Sequence, residues 1–250
     1  MIFKDSLETT LLNIDKVEYV AILPETCSKI LYWLHGYHER SKDILLKSNL
    51  EEFSEKYRVA IILPDVPDTY YLNQPWNTCY TEDFFIKELI PFVTEKYHFS
   101  SNKEDTFIAG ASMGGFGSLL LGSHHYEVFS KIVSISGAFI IDDILLGNPE
   151  VVGSSNNFSH FQNLFGDIPS LIDSYERNPE VSVLLAIENQ KLPPIFMTCG
   201  TEDMLLKRNE KLARNLSNAG ADVLWKTSSG GHDWKYFNSV LENMFSWLTN

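Results

Sequence analysis

The sequence predicts an α/β fold: a mostly parallel central sheet with helices on both faces. Three observations predict it. Short β-rich runs alternate with helical ones, and the central β runs are apolar throughout instead of alternating with polar residues. The length of 250 residues suits one domain built on one sheet. In such sheets chemistry sits in loops beyond the carboxyl ends of the strands, so motifs are sought there.

Lys16–Leu23 and Lys29–Leu34 read as opening strands, antiparallel to each other. Ile44–Tyr57 reads as a helix, followed by the compact apolar strand Val59–Leu63, which Pro64 stops. Asp65–Tyr80, with Pro67, Pro75 and several aromatics, reads as a loop. Thr81 can cap the next helix, with Glu82 and Asp83 in its first turn and an apolar face of Phe84, Phe85, Leu89, Phe92 and Val93. Strand Thr106–Ala109, a Gly-rich turn and a helix through Leu119–Leu121 follow, then strand Lys131–Ile135. Strand Ile195–Cys199, helix Lys207–Ala219 stopped by Gly220, strand Val223–Lys226 and helix Trp234–Leu248 complete the chain.

The stretch Gly137–Pro194 breaks this rhythm. It holds Pro149, Gly153, a polar Ser154–Asn157 run, Phe158, Phe161 and Phe165, and a helical pattern near Glu180–Asn189. Long insertions of this kind usually cover or shape a site. A single domain over residues 1–250 is expected, with this insertion as a cap or pocket wall.

The charge balance is acidic, with 33 Asp and Glu against 20 Lys and Arg and a net charge of −13. That argues against nucleic-acid or anionic-membrane partners, which bind clustered Lys and Arg. No basic region followed by an apolar stretch opens the chain, and no run approaches the roughly 18 apolar residues of a membrane span. Cys27, Cys79 and Cys199 are odd in number and lack metal-like spacing, which suits reduced thiols in the cytoplasm. No His, Asp and Glu cluster has ligand spacing either, so neither metal nor cofactor is expected.

Phe107-Ile108-Ala109-Gly110-Ala111-Ser112-Met113-Gly114-Gly115 reads as strand, G-x-S-x-G, then helix. A serine on so sharp a turn needs small neighbours, and Gly110 and Gly114 supply them. A serine hydroxyl is a poor nucleophile without a base in hydrogen-bond reach. Of seven histidines, His232 follows the last strand and precedes the last helix, on the same sheet edge as Ser112. The orienting acid should follow another strand between them. Asp203, after Ile195–Cys199, fits, with Glu202 as local rival, while Asp233 should diverge from the ring. An oxyanion needs two preorganised N–H donors. Met113 supplies one, and Tyr37 the other, with Gly36 letting the chain turn.

Four stretches together resemble the putative-esterase (esterase D-like) family of α/β hydrolases. They are Leu34-His35-Gly36, Gly110-Ala111-Ser112-Met113-Gly114-Gly115, Cys199-Gly200-Thr201-Glu202-Asp203 and Gly231-His232-Asp233-Trp234. The resemblance implies an α/β-hydrolase fold and an esterase with Ser112, Asp203 and His232 as triad and Tyr37 and Met113 as oxyanion donors. Asn73-Gln74-Pro75-Trp76 looks most like the small tributyrin-type esterases. Tyr32-Trp33-Leu34 echoes S-formylglutathione hydrolases, but His35-Gly36-Tyr37-His38 departs from their Ser-Gly-Leu-Thr-Cys run. The expected protein is a cofactor-free carboxylesterase for short acyl esters. Its rivals are an S-formylglutathione hydrolase, an acetyl- or feruloyl-sugar esterase, an acyltransferase and a non-catalytic binding module. The expected partner is a small-molecule ester, and a homo-oligomer is compatible with the sequence.

Overall fold

Residues 1–148, 158–189 and 191–250 are described by the computed structural model. Pro149, Gly153 and the Ser154–Asn157 run lie outside the described residues. Among the described residues ten strands are present: β1 Ile2–Glu8, β2 Lys16–Ile22, β3 Lys29–Leu34, β4 Val59–Pro64, β5 Asn73–Gln74, β6 Cys79–Tyr80, β7 Thr106–Ala111, β8 Lys131–Ile135, β9 Ile195–Gly200 and β10 Val223–Ser228. Eight of them form one sheet in the order β1-β2-β4-β3-β7-β8-β9-β10, and β5 and β6 pair separately.

In the large sheet β2 runs antiparallel to both β1 and β4, and β4, β3, β7, β8, β9 and β10 are mutually parallel. Every residue of β4, β7 and β9 is buried, which is why these strands read as continuous apolar runs. β2 and β3 run antiparallel as expected, but β4 lies between them and β1 precedes both. The true partner of β2 at the edge is β1, whose residues are exposed or half-buried and carry no apolar alternation to betray it.

The helices are α1 Ser41–Lys47, α2 Leu50–Tyr57, α3 Thr81–Phe84, α4 Ile90–Tyr97, α5 Met113–His124, α6 Ile141–Leu146, α7 Phe158–Phe165, α8 Pro179–Glu188, α9 Leu206–Asn218 and α10 Trp234–Thr249. The predicted helix at Ile44–Tyr57 is two, α1 and α2. Asn238 of α10 braces the break, accepting from the Asn49 N–H at 2.9 Å and donating to the Lys47 carbonyl at 2.7 Å. Thr81 does not cap α3; it is the first helical residue and its hydroxyl pairs with Thr69 at 2.7 Å. The cap comes from Asn73, whose side-chain oxygen accepts from the Asp83 N–H at 3.1 Å. Between α3 and α4 the helix widens into a π turn, Phe85–Leu89. Pro91 follows, and the wider turn accommodates its missing N–H and its ring.

Alternate residues of each central strand feed two cores. Tyr32, Leu34, Ile108, Ile132 and Met197 pack with α3, α4, α5, α8 and α9 on one face. Trp33, Ile61, Phe107, Val133 and Phe196 pack with α1, α2 and α10 on the other. Helices therefore cover both faces, as the sequence predicts. After β3 the chain crosses to β4 on one side and later to β7 on the other, so the crevice beyond β3 and β7 is the topological switch point.

One close approach fixes the first turn of α5. A Cβ on Gly114 would overlap the backbone of Leu34, and one on Gly110 would overlap Gly114. Gly114→Ala should therefore destabilise the protein by about 1–3 kcal/mol or more. Gly36→Ala, where a Cβ meets nothing nearer than 3.5 Å, should cost far less. Thermal melts followed by circular dichroism rank the two, and equal melting temperatures would refute the steric account.

Candidate active site

β7 ends at Ala111, and Ser112 turns the chain with φ 58° and ψ −119° into α5. A non-glycine residue there is strained by about 1–3 kcal/mol and persists only where its surroundings enforce it. They do so with three backbone bonds. The Ser112 N–H donates to Ile135 O at 3.0 Å, and the Ser112 carbonyl accepts from Phe116 at 3.1 Å and Ala138 at 3.0 Å. The side chain remains partly exposed at the helix N-terminus.

Asp203 follows β9 and His232 follows β10, and these adjacent parallel strands bring the two together. His232 Nδ1 lies 2.8 Å from Asp203 Oδ2. A carboxylate only accepts, so Nδ1 carries the proton and Nε2 presents its lone pair. The Asp203 side chain is fully buried, while 26% of the His232 side chain is exposed. Burial alone would raise the Asp203 carboxyl. Bonds from His232, the Leu205 N–H and the Ser136 hydroxyl outweigh it and hold the group below its ordinary 3.8. The rival Glu202 points elsewhere: it accepts from the Gly230 N–H and the Ser229 and Thr201 hydroxyls, bracing the histidine loop. Asp233 diverges as expected and caps α10 by accepting from the Tyr236 N–H at 2.9 Å. Among the described residues no hydrogen bond joins Ser112 Oγ to His232; such contacts often tighten only when substrate binds.

The loop after β3 lies against Ser112. A Cβ on Gly36 would sit 3.7 Å from Ser112 Cβ. Gly36 does not have the left-handed φ that a tight turn would demand; His38, at φ 59°, makes that turn. The value of Gly36 is space beside Ser112. Neither the Tyr37 nor the Met113 backbone N–H donates to any group among the described residues. His35 is buried, with its ring nitrogens 2.8 Å from Gly36 O and 3.1 Å from Val66 O, and burial pushes it below its ordinary value. It is a strut of the loop.

With this geometry described, the comparisons with known proteins become specific. A family model described as Putative esterase matches residues 19–248. An acetyl esterase from Caldicellulosiruptor saccharolyticus is 34% identical over 221 residues, 88% of this chain and 83% of its own. The chain belongs to the Putative esterase family. It is a carboxylesterase. Among solved structures, an S-formylglutathione hydrolase from Staphylococcus aureus superimposes with a TM-score of 0.84 at 24% identity, covering 100% of both chains. A fluorophosphonate-binding serine hydrolase from the same organism gives 0.87 at 22% identity, covering 100% of this chain and 98% of its own. These two likenesses identify the α/β-hydrolase fold.

Three features of this esterase are absent from the sequence reading. Ser136, at φ 47° beyond β8, adds a hydroxyl to Asp203. Glu39 accepts from the Gly36 N–H at 3.4 Å and from the Trp234 indole at 2.5 Å, tying the loop after β3 to the histidine loop. The third is a cluster at the other end of α5. His124 Nδ1 and His125 Nε2 each lie 2.8 Å from Glu82 Oε1. Here the expectation of no clustered ligands fails, because folding, not spacing, brings Glu82 to the two rings. Burial would raise Glu82, but the two imidazoles hold it at about 2; burial would lower His124, but Glu82 raises it.

Two predictions follow from these contacts. Asp203→Asn should lower kcat by about 10⁴ through the wrong imidazole tautomer. Glu202→Gln, which touches only the loop, should cost far less, and the reverse ranking in steady-state assays would exchange their roles. The cluster's share of stability has a definite sign. Glu82 contributes above its ordinary 4.5 and loses the contribution as pH falls toward about 2. His124 contributes below its ordinary 6.5 and loses the contribution as pH rises through its raised value. In chelator, the melting-temperature gap between wild type and Glu82→Gln should be widest between 4.5 and 6.5 and shrink on either side. A gap independent of pH would remove the charge interaction from the account.

Proposed function

We propose that the protein hydrolyses short-chain acyl esters through an acyl-enzyme on Ser112. One observation carries this reading: Ser112, strained at φ 58°, stands at the switch point beside the Gly36 loop, where the Tyr37 and Met113 N–H groups are unspent. The His232–Asp203 pair, 2.8 Å apart, serves the same sheet edge. His232 Nε2 takes the Ser112 Oγ proton as Oγ attacks the ester carbonyl. The tetrahedral oxyanion accepts from Tyr37 and Met113. His232 returns the proton to the departing alcohol, then activates water to release the acid, while Asp203 stabilises the imidazolium.

The preference for short chains rests on the rings around the first turn of α5. Phe116, one turn after Ser112, packs on Tyr70 at 5.2 Å, Phe165 at 6.1 Å and Phe139 at 6.2 Å. Phe165 belongs to the 137–194 insertion, as does His160, whose Nε2 is 3.4 Å from the Tyr37 hydroxyl. The insertion thus supplies a wall for the acyl group. Not every expected aromatic contributes: Tyr71 is fully buried, donating to His35 O at 2.9 Å, and the Trp76 indole is held by Asn163 O. The Phe158 side chain lies outside the described residues. The acetyl esterase relative and the departure at His35-Gly36-Tyr37-His38 favour simple esters over S-formylglutathione.

A small-molecule ester is the proposed partner. A cytoplasmic location fits three unpaired thiols, of which Cys199 is pushed up to about 12 by burial. No helix among the described residues is long and apolar enough to cross a membrane.

Ser112→Ala and His232→Ala should each lose about 10⁶ in kcat, and the double variant little more, because the pair acts as a unit. Additive losses would dissolve the pair. Across p-nitrophenyl esters, kcat/KM should rise from acetyl to about butyryl, since each methylene that fits gains at most about 0.8 kcal/mol, and then fall sharply where it clashes. Values still climbing at decanoyl would mean an open pocket.

A further inference from the structure

Helix α5 begins beside Ser112 and ends in His124, with His125 at its C-cap. Twelve helical residues put these histidines roughly 18 Å from the nucleophile, so ester chemistry does not use them. Their ring nitrogens and Glu82 Oε1 all lie within 4.8 Å of one another. The His124 side chain is 4% exposed, Glu82 12% and His125 21%.

The hydrogen-bonding inventory of this cluster is one-sided. His124 Nε2 lies 2.9 Å from the Tyr175 carbonyl, which only accepts, so Nε2 carries the proton. A neutral His124 ring then aims its Nδ1 lone pair at a carboxylate oxygen. His125 is held between two carboxylates, Glu82 at Nε2 and Glu127 Oε1 at Nδ1, the latter 3.5 Å away. Glu176 adds a further negative charge near His124. Acceptors converge on one point, and positive charge belongs among them. Two ring protons would supply it, but only by setting two imidazolium rings with centroids 6.1 Å apart against each other. One divalent cation supplies it with both rings neutral.

We propose that His124 Nδ1, His125 Nε2 and Glu82 Oε1 form a three-ligand Zn²⁺ site, completed by water. Two imidazoles and a carboxylate with one water are the donor set of an open zinc site, here remote from the nucleophile. The Tyr175 carbonyl on His124 Nε2 is the outer bond that fixes a ligating imidazole's tautomer. The C-terminal end of α5, with its exposed carbonyl dipoles, favours a cation. The two 2.8 Å contacts to Glu82 Oε1 are shorter than the roughly 3.3 Å edge of a tetrahedron with bonds near 2.0–2.1 Å, so binding lengthens those two contacts by about half an ångström. A cleft of about 500 Å³, lined by Asn73, Trp76, Tyr175 and Glu176 beside the ligands, gives the ion and its water a way in. The bound metal would clip α3 and the Tyr175 segment to the end of the nucleophile helix.

The test is calorimetric titration of ZnCl₂ into the chelator-stripped full chain near neutral pH, in a Cys27→Ser background that removes the exposed thiol. Expected are one Zn²⁺ per chain with micromolar or tighter affinity and release of protons, read as buffer-dependent heat. Melting should rise by about 5 °C at saturating metal. Glu82→Gln and His125→Ala should each weaken binding by about 100-fold or more while leaving ester hydrolysis in place. Co²⁺ bound to the unsubstituted cluster should give the intense visible bands of a tetrahedral site, a readout that needs no ligand variant to fold. Absence of submillimolar binding, or binding that both substitutions leave untouched, would overturn the proposal, as would Co²⁺ spectra of the hexa-aquo ion alone.

Discussion

Gly114 touches the end of β3 so closely that no side chain fits between them, and the candidate site is organised around that contact. Because α5 rests on the Leu34 backbone, the turn out of β7 has no room to relax, and Ser112 keeps its strained φ of 58°. The same contact draws the loop after β3 against Ser112. Sheet order makes it possible: β3 and β7 are hydrogen-bonded neighbours, although 71 residues lie between Leu34 and Thr106, where β7 begins. β8 completes the clamp through Ile135 O and, just beyond it, the Ala138 N–H.

Asp203 and His232 arrive from the other side of the switch point, and their loops are locked by equally close packing. A Cβ on Gly200 would overlap the Gly230 backbone, so the loops after β9 and β10 are pressed together. Glu202 then grips Gly230 and its neighbour Ser229, which leaves Asp203 to reach His232. Glu39 spans the remaining gap, from the Gly36 N–H to Trp234, two residues past His232. Preorganisation here consists of backbone contacts and three carboxylates with different duties. Only one of them faces the imidazole.

What the sequence made legible was local. The elbow glycines, the strand before each candidate residue and the helix after it are all written within a few positions, and those elements formed where expected. What it hid depends on distant chain. β1 has no apolar alternation because it is a half-exposed edge. The order β2-β4-β3 follows from a crossover that no local pattern encodes. The break between α1 and α2 is held by Asn238, from the far end of the chain. Gly36 invited a conformational explanation, and the structure gives a spatial one. Ser136 looked like an ordinary residue after a strand until Asp203 folded onto it. The Glu82 cluster escaped for the same reason, with Glu82 and His124 42 positions apart in the chain.

Both ends of α5 obey one electrostatic rule. Its length is buried on every side, all of Met113 to Ser123, so no polar chemistry fits along its flanks. A helix leaves unpaired N–H groups at its start and unpaired carbonyls at its end, giving roughly half a positive and half a negative charge there. At the start, the Met113 N–H donates to no group among the described residues. At the end, the His124 and His125 rings meet the Glu82 carboxylate, where a positive charge is favoured. A rigid apolar rod thus presents two opposite charge preferences at fixed separation. Ligand chemistry at one end does not compete with chemistry at the other, and packing that secures the C-terminus also holds the strained turn at the N-terminus.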